Sequence, residues 1–93
     1  MNEAQLQKKC ISYARKHGWL AFKWSAPAHR GVPDCLFFKQ GRLVIVEFKS
    51  PQGTGRLSPL QQQTIGELQD TGFEVQVVKD EHYFKAILNG SLR

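Results

Sequence analysis

The residues whose types and spacing best suit catalysis are Asp34, Glu47 and Lys49. Glu47 interrupts the apolar run between Leu43 and Phe48, where an isolated carboxylate is costly to bury unless a partner or a metal ion neutralises it. Alternate side chains of a strand share a face, so Glu47 and Lys49 project to the same side. A divalent ion bound to such a carboxylate would neutralise a non-bridging phosphate oxygen, and the lysine would orient the attacking water or stabilise charge on the phosphorane. The pattern predicts phosphodiester hydrolysis.

Asp34 reaches the same site if the chain turns tightly at Gln40-Gly41, a dipeptide of the right length and type for a two-residue hairpin. Counting outward from this turn pairs Leu36 with Ile45 and Asp34 with Glu47. Two carboxylates directly across a sheet repel each other unless a cation lies between them. Oxygen ligands of this kind favour Mg²⁺ or Mn²⁺ over zinc.

Two questions stay open for this cluster. The general base is a metal-bound hydroxide, a substrate phosphate, or Lys49 with a lowered pKa, and the residues do not choose among them. An acid and a lysine two positions apart also occur as surface ion pairs of little energetic value. Pro33-Asp34, at hairpin distance from a strand-borne acid, favours the catalytic interpretation.

Periodicity and turn residues predict the elements that must position these side chains, in the order α-β-β-β-α-β-α. The helices are expected over 2–17, 58–72 and 80–89, and the strands over 19–25, 34–39, 42–49 and 73–78. The β-branched third strand is expected to be central and buried on both faces. The expected inward-facing helix residues are Leu6, Cys10, Tyr13, Ala14, His17, Leu60, Ile65, Leu68, Tyr83, Phe84, Ile87 and Leu88. Glu3 lies one turn before Leu6 on the same face, which is unusual for a carboxylate.

Length and charge narrow the class of protein. The 93 residues predict one domain spanning 1–93, and the net charge is +5. All of the excess lies in residues 1–33, which hold six basic residues and one acid. Such a surface suits nucleic acid, although a solvated helix face rich in lysine is the more ordinary explanation of charge alone. Cys10 and Cys35 are expected to be buried free thiols, and the polar N-terminus and absence of a long apolar run favour a cytoplasmic protein without membrane contact.

The sequence around these residues resembles a known family. Pro33-Asp34 followed by Glu47-Phe48-Lys49 is similar to the PD-(D/E)xK nuclease motif. Gly31-Val32-Pro33-Asp34, Val46-Glu47-Phe48-Lys49, Leu57-Ser58-Pro59-x-Gln61 and Leu68-x-x-x-Gly72 together resemble the VRR-NUC family, the virus-type replication-repair nucleases. The resemblance runs from Glu3 to Val78 and implies a small restriction-endonuclease-like α/β fold, with a mixed central sheet flanked by helices.

The resemblance also implies a set of site residues. Mg²⁺ or Mn²⁺ is expected on Asp34, Glu47, the backbone carbonyl of Phe48, and Glu3 directly or through water, with Lys49 catalytic and Glu3 and Gln61 lining the site. Gln61 is otherwise an ordinary helix former that nothing else in the sequence singles out.

Short members of the family are associated with branched DNA such as four-way (Holliday) junctions, so the resemblance implies a DNA endonuclease and DNA repair. A homodimer is expected, because paired incisions and a small core both favour one, with nicking by a monomer as the alternative. Alternatives are a nuclease for flap, linear or single-stranded nucleic acid and a non-catalytic DNA-binding module. Expected DNA contacts are Lys23, Trp24, His29, Arg30 and Arg56. Trp24 is equally suited to stacking on a base and to packing in the core. The loop that carries Arg56 is at least as well explained as a flexible connector. His29 is expected to contact DNA or solvent rather than to bind a metal.

Overall fold

Three helices and four strands follow one another in the predicted order α-β-β-β-α-β-α. The computed structural model describes residues 1–90. The elements are α1 (Glu3–Lys16), β1 (Leu20–Lys23), β2 (Cys35–Lys39), β3 (Arg42–Phe48), α2 (Pro59–Asp70), β4 (Val75–Val78) and α3 (Glu81–Leu88). Every boundary lies within two residues of the sequence prediction.

The sheet is mixed and has the strand order β1-β2-β3-β4. β1, β2 and β3 are antiparallel neighbours, whereas β4 runs parallel to β3. Gln40 and Gly41 form the predicted tight turn, both with positive φ values, 48° and 78°. The predicted register is confirmed, since Leu36 pairs with Ile45. β3 is central and its residues from Val44 to Phe48 are all buried.

Helices α1 and α3 cover one face of the sheet and form the main core with it. That core contains Leu6, Cys10 and Ala14 of α1, Phe84, Ile87 and Leu88 of α3, and Phe37, Val44, Val46 and Phe48 of the sheet. Helix α2 lies between the parallel strands β3 and β4 in the chain and buries Thr64 and Ile65. Strand alternation directs Ile45 and Glu47 away from the main core, toward the α2 side of the sheet.

Three residues predicted to face inward are exposed or at the margin of the core. His17 follows the last residue of α1 with non-helical backbone angles, and its Nδ1 lies 2.9 Å from the Tyr13 carbonyl oxygen. Leu60 is 42% exposed, because Thr64 and Ile65 define the inner face of α2 and Leu60 lies to one side of it. Tyr83 is 37% exposed and donates its hydroxyl to Gln76 Oε1.

Both cysteines are buried free thiols, as predicted. Burial raises the pKa of the Cys10 thiol to about 12, and burial has the same effect at Cys35, whose pKa is also about 12. Within residues 1–90, no helix is both long enough and apolar enough to cross a membrane.

Candidate active site

The acidic pair lies at the end of the β2–β3 hairpin opposite the Gln40-Gly41 turn. Asp34 immediately precedes β2, and its backbone N–H donates to the Val46 carbonyl at 3.0 Å. Its Oδ2 accepts a 2.8 Å hydrogen bond from the Phe48 N–H, so the strand end itself holds this carboxylate. Glu47 is only 3% exposed, and Lys49 directly follows β3. The hairpin therefore brings Asp34, Glu47 and Lys49 together, as the sequence predicts.

Gln61 connects this cluster to α2. Its Nε2 donates to Glu47 Oε2 at 2.7 Å, and its Oε1 accepts from Lys49 Nζ at 2.8 Å. The same Oε1 accepts from the Ser58 backbone N–H at 3.0 Å. Lys49 Nζ also lies 3.6 Å from Glu47 Oε2. Both ends of the Gln61 amide are thus bound, which gives the amide a single orientation.

Local sequence explains why Gln61 is available at this place. Ser58 caps α2, its hydroxyl accepts from the Gln61 N–H at 3.2 Å, and Gln61 bonds back to the Ser58 backbone as the N3 residue of a capping box. Proline follows Ser58 at the first helical position, where a missing N–H costs nothing. Gln61 also lies one turn before the buried Ile65. The sequence prediction did not include the bond from the Ser58 N–H to Gln61 Oε1, which helps to hold the Gln61 side chain at the site. The Ser-x-x-Gln pattern is the signal that could have indicated it.

Burial dominates the electrostatics of the two carboxylates. Desolvation, with a further contribution from the Asp34 charge, raises the pKa of Glu47 from 4.5 to about 7, while Lys49 acts in the opposite direction. Desolvation also raises the pKa of Asp34, and the Phe48 N–H, Lys49 and Lys23 oppose this change. A buried acid and a half-buried acid that both resist ionisation form a site where a bound cation would be favourable.

The oxygen atoms left available by the protein suit a hard divalent cation. Among residues 1–90, no hydrogen bond reaches Asp34 Oδ1 or Glu47 Oε1, and no fully buried side-chain oxygen lacks a partner, so each of these two oxygens keeps some accessible surface. Oxygen ligands with several retained waters are the usual environment of Mg²⁺. Asp34, Glu47 and the Phe48 carbonyl are therefore an appropriate donor set, completed by water or substrate.

Glu3 is placed differently from the other predicted site residues. Its side chain is exposed in the first turn of α1, so Glu3 is not part of the buried stripe that begins at Leu6, and its place in the site stays a prediction. The first turn of a helix stabilises an acid without burial, which removes the reason to expect an inward carboxylate. In the part of the chain that the structure describes, no three His, Cys, Asp or Glu side chains converge as a metal site. Glu3 nevertheless lies near enough to contribute to the raised pKa of Glu47.

Two of the predicted DNA contacts adjoin the acidic pair. The Trp24 N–H donates to the Asp34 carbonyl at 2.8 Å, and Trp24 is half-buried, so its ring is neither fully in the core nor free in solvent. Lys23 is exposed and is the register partner of Cys35, the residue after Asp34. Both positions lie where β1 ends beside the site.

The other three predicted DNA contacts lie on loops around α2. His29 Nε2 lies 3.2 Å from Glu67 Oε1, which ties the 26–33 loop to α2. Arg30 is exposed, and its carbonyl accepts from the buried Thr64 hydroxyl at 3.0 Å. Arg56 is exposed on the loop that connects β3 to α2. Within residues 1–90, none of these three side chains forms a hydrogen bond or an ion pair with Asp34, Glu47, Lys49 or Gln61.

Comparison with known proteins agrees with this arrangement. The family model for the VRR-NUC domain matches residues 26–81, which include the acidic pair, Lys49 and Gln61. A phage protein named "Putative nuclease p44", from Acyrthosiphon pisum secondary endosymbiont phage 1, is 38% identical over 52 residues. That alignment covers 55% of this chain and 56% of the phage protein, so it spans about half of the length of that curated relative.

The fold has a close structural counterpart as well. A solved structure described as a VRR-NUC domain superposes with a TM-score of 0.81 and covers 97% of both chains, at 23% sequence identity. At this level of identity the superposition shows a shared fold, and the match of the family model over more than half of the sequence supplies the relationship. The chain belongs to the VRR-NUC domain family.

Proposed function

We propose that this nuclease domain is a Mg²⁺- or Mn²⁺-dependent endonuclease that hydrolyses phosphodiester bonds in branched DNA. The observation that carries the proposal is the cluster at one end of the sheet, in which hydrogen bonds join Gln61 to Glu47 and to Lys49. The Phe48 N–H holds the Asp34 carboxylate beside them. Desolvation raises the pKa values of both carboxylates, which is typical of acids in a functional site and unlike acids that are fully hydrated at the surface.

Each residue has a distinct part in this proposal. Asp34 and Glu47 hold the cation through the oxygens that the protein leaves open, and the Phe48 N–H keeps Asp34 in place. Gln61 orients Glu47 and Lys49 together. Lys49 donates to the attacking water or to the phosphate oxygens where negative charge develops. The bound cation would neutralise a phosphate oxygen and lower the pKa of a coordinated water.

Assembly as a homodimer is a second part of the proposal. Four large apolar side chains on the α2-side face of the sheet, which we call the sheet patch, are exposed: Leu20, Phe22, Phe38 and Leu43 at 56%, 51%, 37% and 36%. The register places Leu20 beside Phe38 and Phe38 beside Leu43, so the patch is continuous. A contiguous apolar patch on a small domain favours association, and a two-fold dimer offers two sites for the paired cuts that a four-way junction requires.

Cleavage of a substrate panel tests the catalytic proposal. We expect cutting of a four-way junction in Mg²⁺ or Mn²⁺, weaker cutting of flap, linear duplex and single-stranded DNA, and none in EDTA. Asp34→Ala, Glu47→Ala and Lys49→Ala should each lower the rate at least a hundredfold, whereas Asp70→Ala, a distant exposed acid, should not. Full activity in EDTA, or in any of the three variants, would contradict the mechanism. Preference for another substrate would contradict the assignment to branched DNA and would leave the proposed cleavage mechanism in place.

Sedimentation velocity tests the dimer. We expect a dimer at micromolar concentration that dissociates when Phe22→Glu and Phe38→Glu are combined. Leu60→Glu, at an exposed apolar residue on α2, is the control and should leave the dimer intact. A wild-type monomer at the concentrations that cleave a junction would rule out the dimer while leaving the catalytic proposal in place.

A further inference from the structure

An open groove of about 730 Å³ lies along α1 on the side next to β1. We call it the α1–β1 groove. Its cationic lining is supplied by Lys8, Arg15 and Lys16 of α1 and by Lys23 of β1, and the half-buried Ile11 contributes to its apolar floor. No acidic residue lines the groove within residues 1–90.

One of the four cations of the groove is held by a hydrogen bond, and the other three are exposed. Arg15 Nη2 donates to the Ala21 carbonyl of β1 at 3.0 Å, which fixes one cation between the helix and the strand. Lys8, Lys16 and Lys23 are exposed. Four like charges along one groove repel one another, and a polyanion that neutralises them all at once removes this repulsion. The charge pattern therefore favours a repeating anion over a small ligand.

The dimensions and position of the groove fit a phosphate backbone. From Ala4 to Lys16, α1 extends about 18 Å at 1.5 Å per residue, and one DNA strand carries a phosphate every 3.4 Å or so along its axis. Lys23 lies at the end of β1, and its register partner Cys35 adjoins Asp34. The groove thus begins beside the acidic pair and leads away from it along the edge of the sheet.

We propose that the α1–β1 groove binds the sugar-phosphate backbone of a duplex DNA arm that continues from the cleavage site. This inference rests on the proposed function, because it supplies the surface that holds the substrate near Asp34 and Glu47. Groove contacts go to phosphates and carry no sequence information, so they hold arms of any sequence alike. Part of the positive charge of residues 1–33 would then contact DNA phosphates on one side of α1.

Salt-dependent binding distinguishes the groove from a general effect of net charge. The groove variant is Lys8→Ala/Lys16→Ala. The matched control is Lys9→Ala/Lys85→Ala, which removes the same charge outside the groove lining, Lys85 being next to the Tyr13 ring on the α3 side. Lys8, Lys9 and Lys16 are exposed, whereas Lys85 is half-buried and its Nζ lies 3.6 Å from Glu81 Oε2, so circular dichroism melts check that both variants remain folded at the assay temperature. Fluorescence anisotropy with labelled duplex and four-way junction, in EDTA and over a KCl series, measures affinity without cleavage.

We expect the groove variant to bind DNA roughly tenfold more weakly and to lower the salt slope by about two, since each substituted lysine leaves one phosphate without its cation. The control should change much less. Three results would each overturn the proposal that the groove binds DNA. They are equal weakening in both variants, unchanged affinity in the groove variant, and no DNA binding by the wild type. Cleavage is measured separately: a groove effect without cleavage by the wild type would contradict the nuclease proposal alone, and cleavage without a groove effect would contradict the groove alone.

Discussion

Gln61 Nε2 donates a 2.7 Å hydrogen bond to Glu47 Oε2, which joins the first turn of α2 to the central strand of the sheet. The other end of the amide accepts from both Lys49 Nζ and the Ser58 N–H. One side chain therefore completes a helix cap and orients an acid and a lysine. The capping box and the candidate active site are a single hydrogen-bond network.

Gln61→Ala should damage both stability and catalysis. It leaves the Ser58 N–H and Lys49 without their shared acceptor, so we expect a loss of about 1–2 kcal/mol in the free energy of unfolding. Cleavage should decrease by more than tenfold, because Glu47 and Lys49 lose their orientation. Urea unfolding and single-turnover cleavage measure the two effects. Gln63→Ala, on the exposed side of the same helix, is the control, and equal behaviour of the two variants would contradict the role of Gln61.

Glu47 should make the metal-free protein less stable as the pH rises. The folded state raises the pKa of Glu47 from 4.5 to about 7, so folded protein binds the proton more tightly than the unfolded chain does. Unfolding then releases a proton between these pH values, and stability falls across that window. The full shift corresponds to about 3 kcal/mol as an upper bound.

Glu47→Gln isolates this effect. The amide has nearly the shape of the protonated acid and cannot ionise, so in EDTA the variant should exceed the wild type in stability at pH 8 and match it at pH 4. Thermal melts across this range give the comparison, with Glu74→Gln as an exposed control. A wild type that gains stability relative to Glu47→Gln between pH 5 and pH 8 would show that Glu47 is not desolvated as described.

Gly31→Ala should displace the loop that carries Pro33 and Asp34. Gly31 has a φ of +85°, and an added Cβ would lie 2.8 Å from the Leu60 carbonyl oxygen and 2.9 Å from Thr64 Oγ1. The backbone conformation and the close approach to α2 together predict a loss of about 2 kcal/mol or more, with reduced cleavage.

Gly66→Ala is the matched control for this substitution. Gly66 lies inside α2 with no heavy atom within 4 Å of an added Cβ, so alanine should stabilise the helix by up to about 1 kcal/mol. Chemical denaturation of both variants gives the difference directly. Stability of Gly31→Ala equal to that of the wild type would show that the loop is not held against α2.

The two thiols should be inert in the native protein. Both are 0% exposed, and burial raises both pKa values to about 12, so almost no accessible thiolate is present at pH 8. Iodoacetamide followed by mass spectrometry should label neither cysteine without denaturant and both in 6 M urea or so, a concentration well above the usual midpoint of a small domain. Rapid labelling of Cys10 or Cys35 in native buffer would contradict the packing of α1 against the sheet.

Hairpin geometry was predictable because it depends on short-range chemistry. The Gln40-Gly41 turn sets the register, and strand alternation then assigns Glu47 and Lys49 to one face, so the acidic pair follows from local rules alone. Local chemistry also explains the caps at Asn2 and Ser58, whose side chains accept from backbone N–H groups in the first turns of α1 and α2. Family resemblance, rather than spacing, was needed to include Gln61 in the site.

Long-range packing decided the residues that were predicted wrongly. The Thr64 hydroxyl of α2 donates to the Arg30 carbonyl of the 26–33 loop, and Leu60, which lies to one side of this contact, is left 42% exposed. Tyr83 of α3 is 37% exposed, and its hydroxyl donates to Gln76 Oε1 of β4 rather than entering the core. Periodicity within one helix cannot report how that helix is turned against segments distant in the sequence.

The shared use of Gln61 by the cap and the site has a consequence for local unfolding. When the first turn of α2 frays, Glu47 and Lys49 lose their common partner at the same moment, so under the proposed function we expect this local opening to inactivate the site reversibly. Amide hydrogen exchange at Gln61 and Gln62, whose N–H groups donate to Ser58, reports the same event. The fraction of active molecules is thereby linked to the formation of one helical turn.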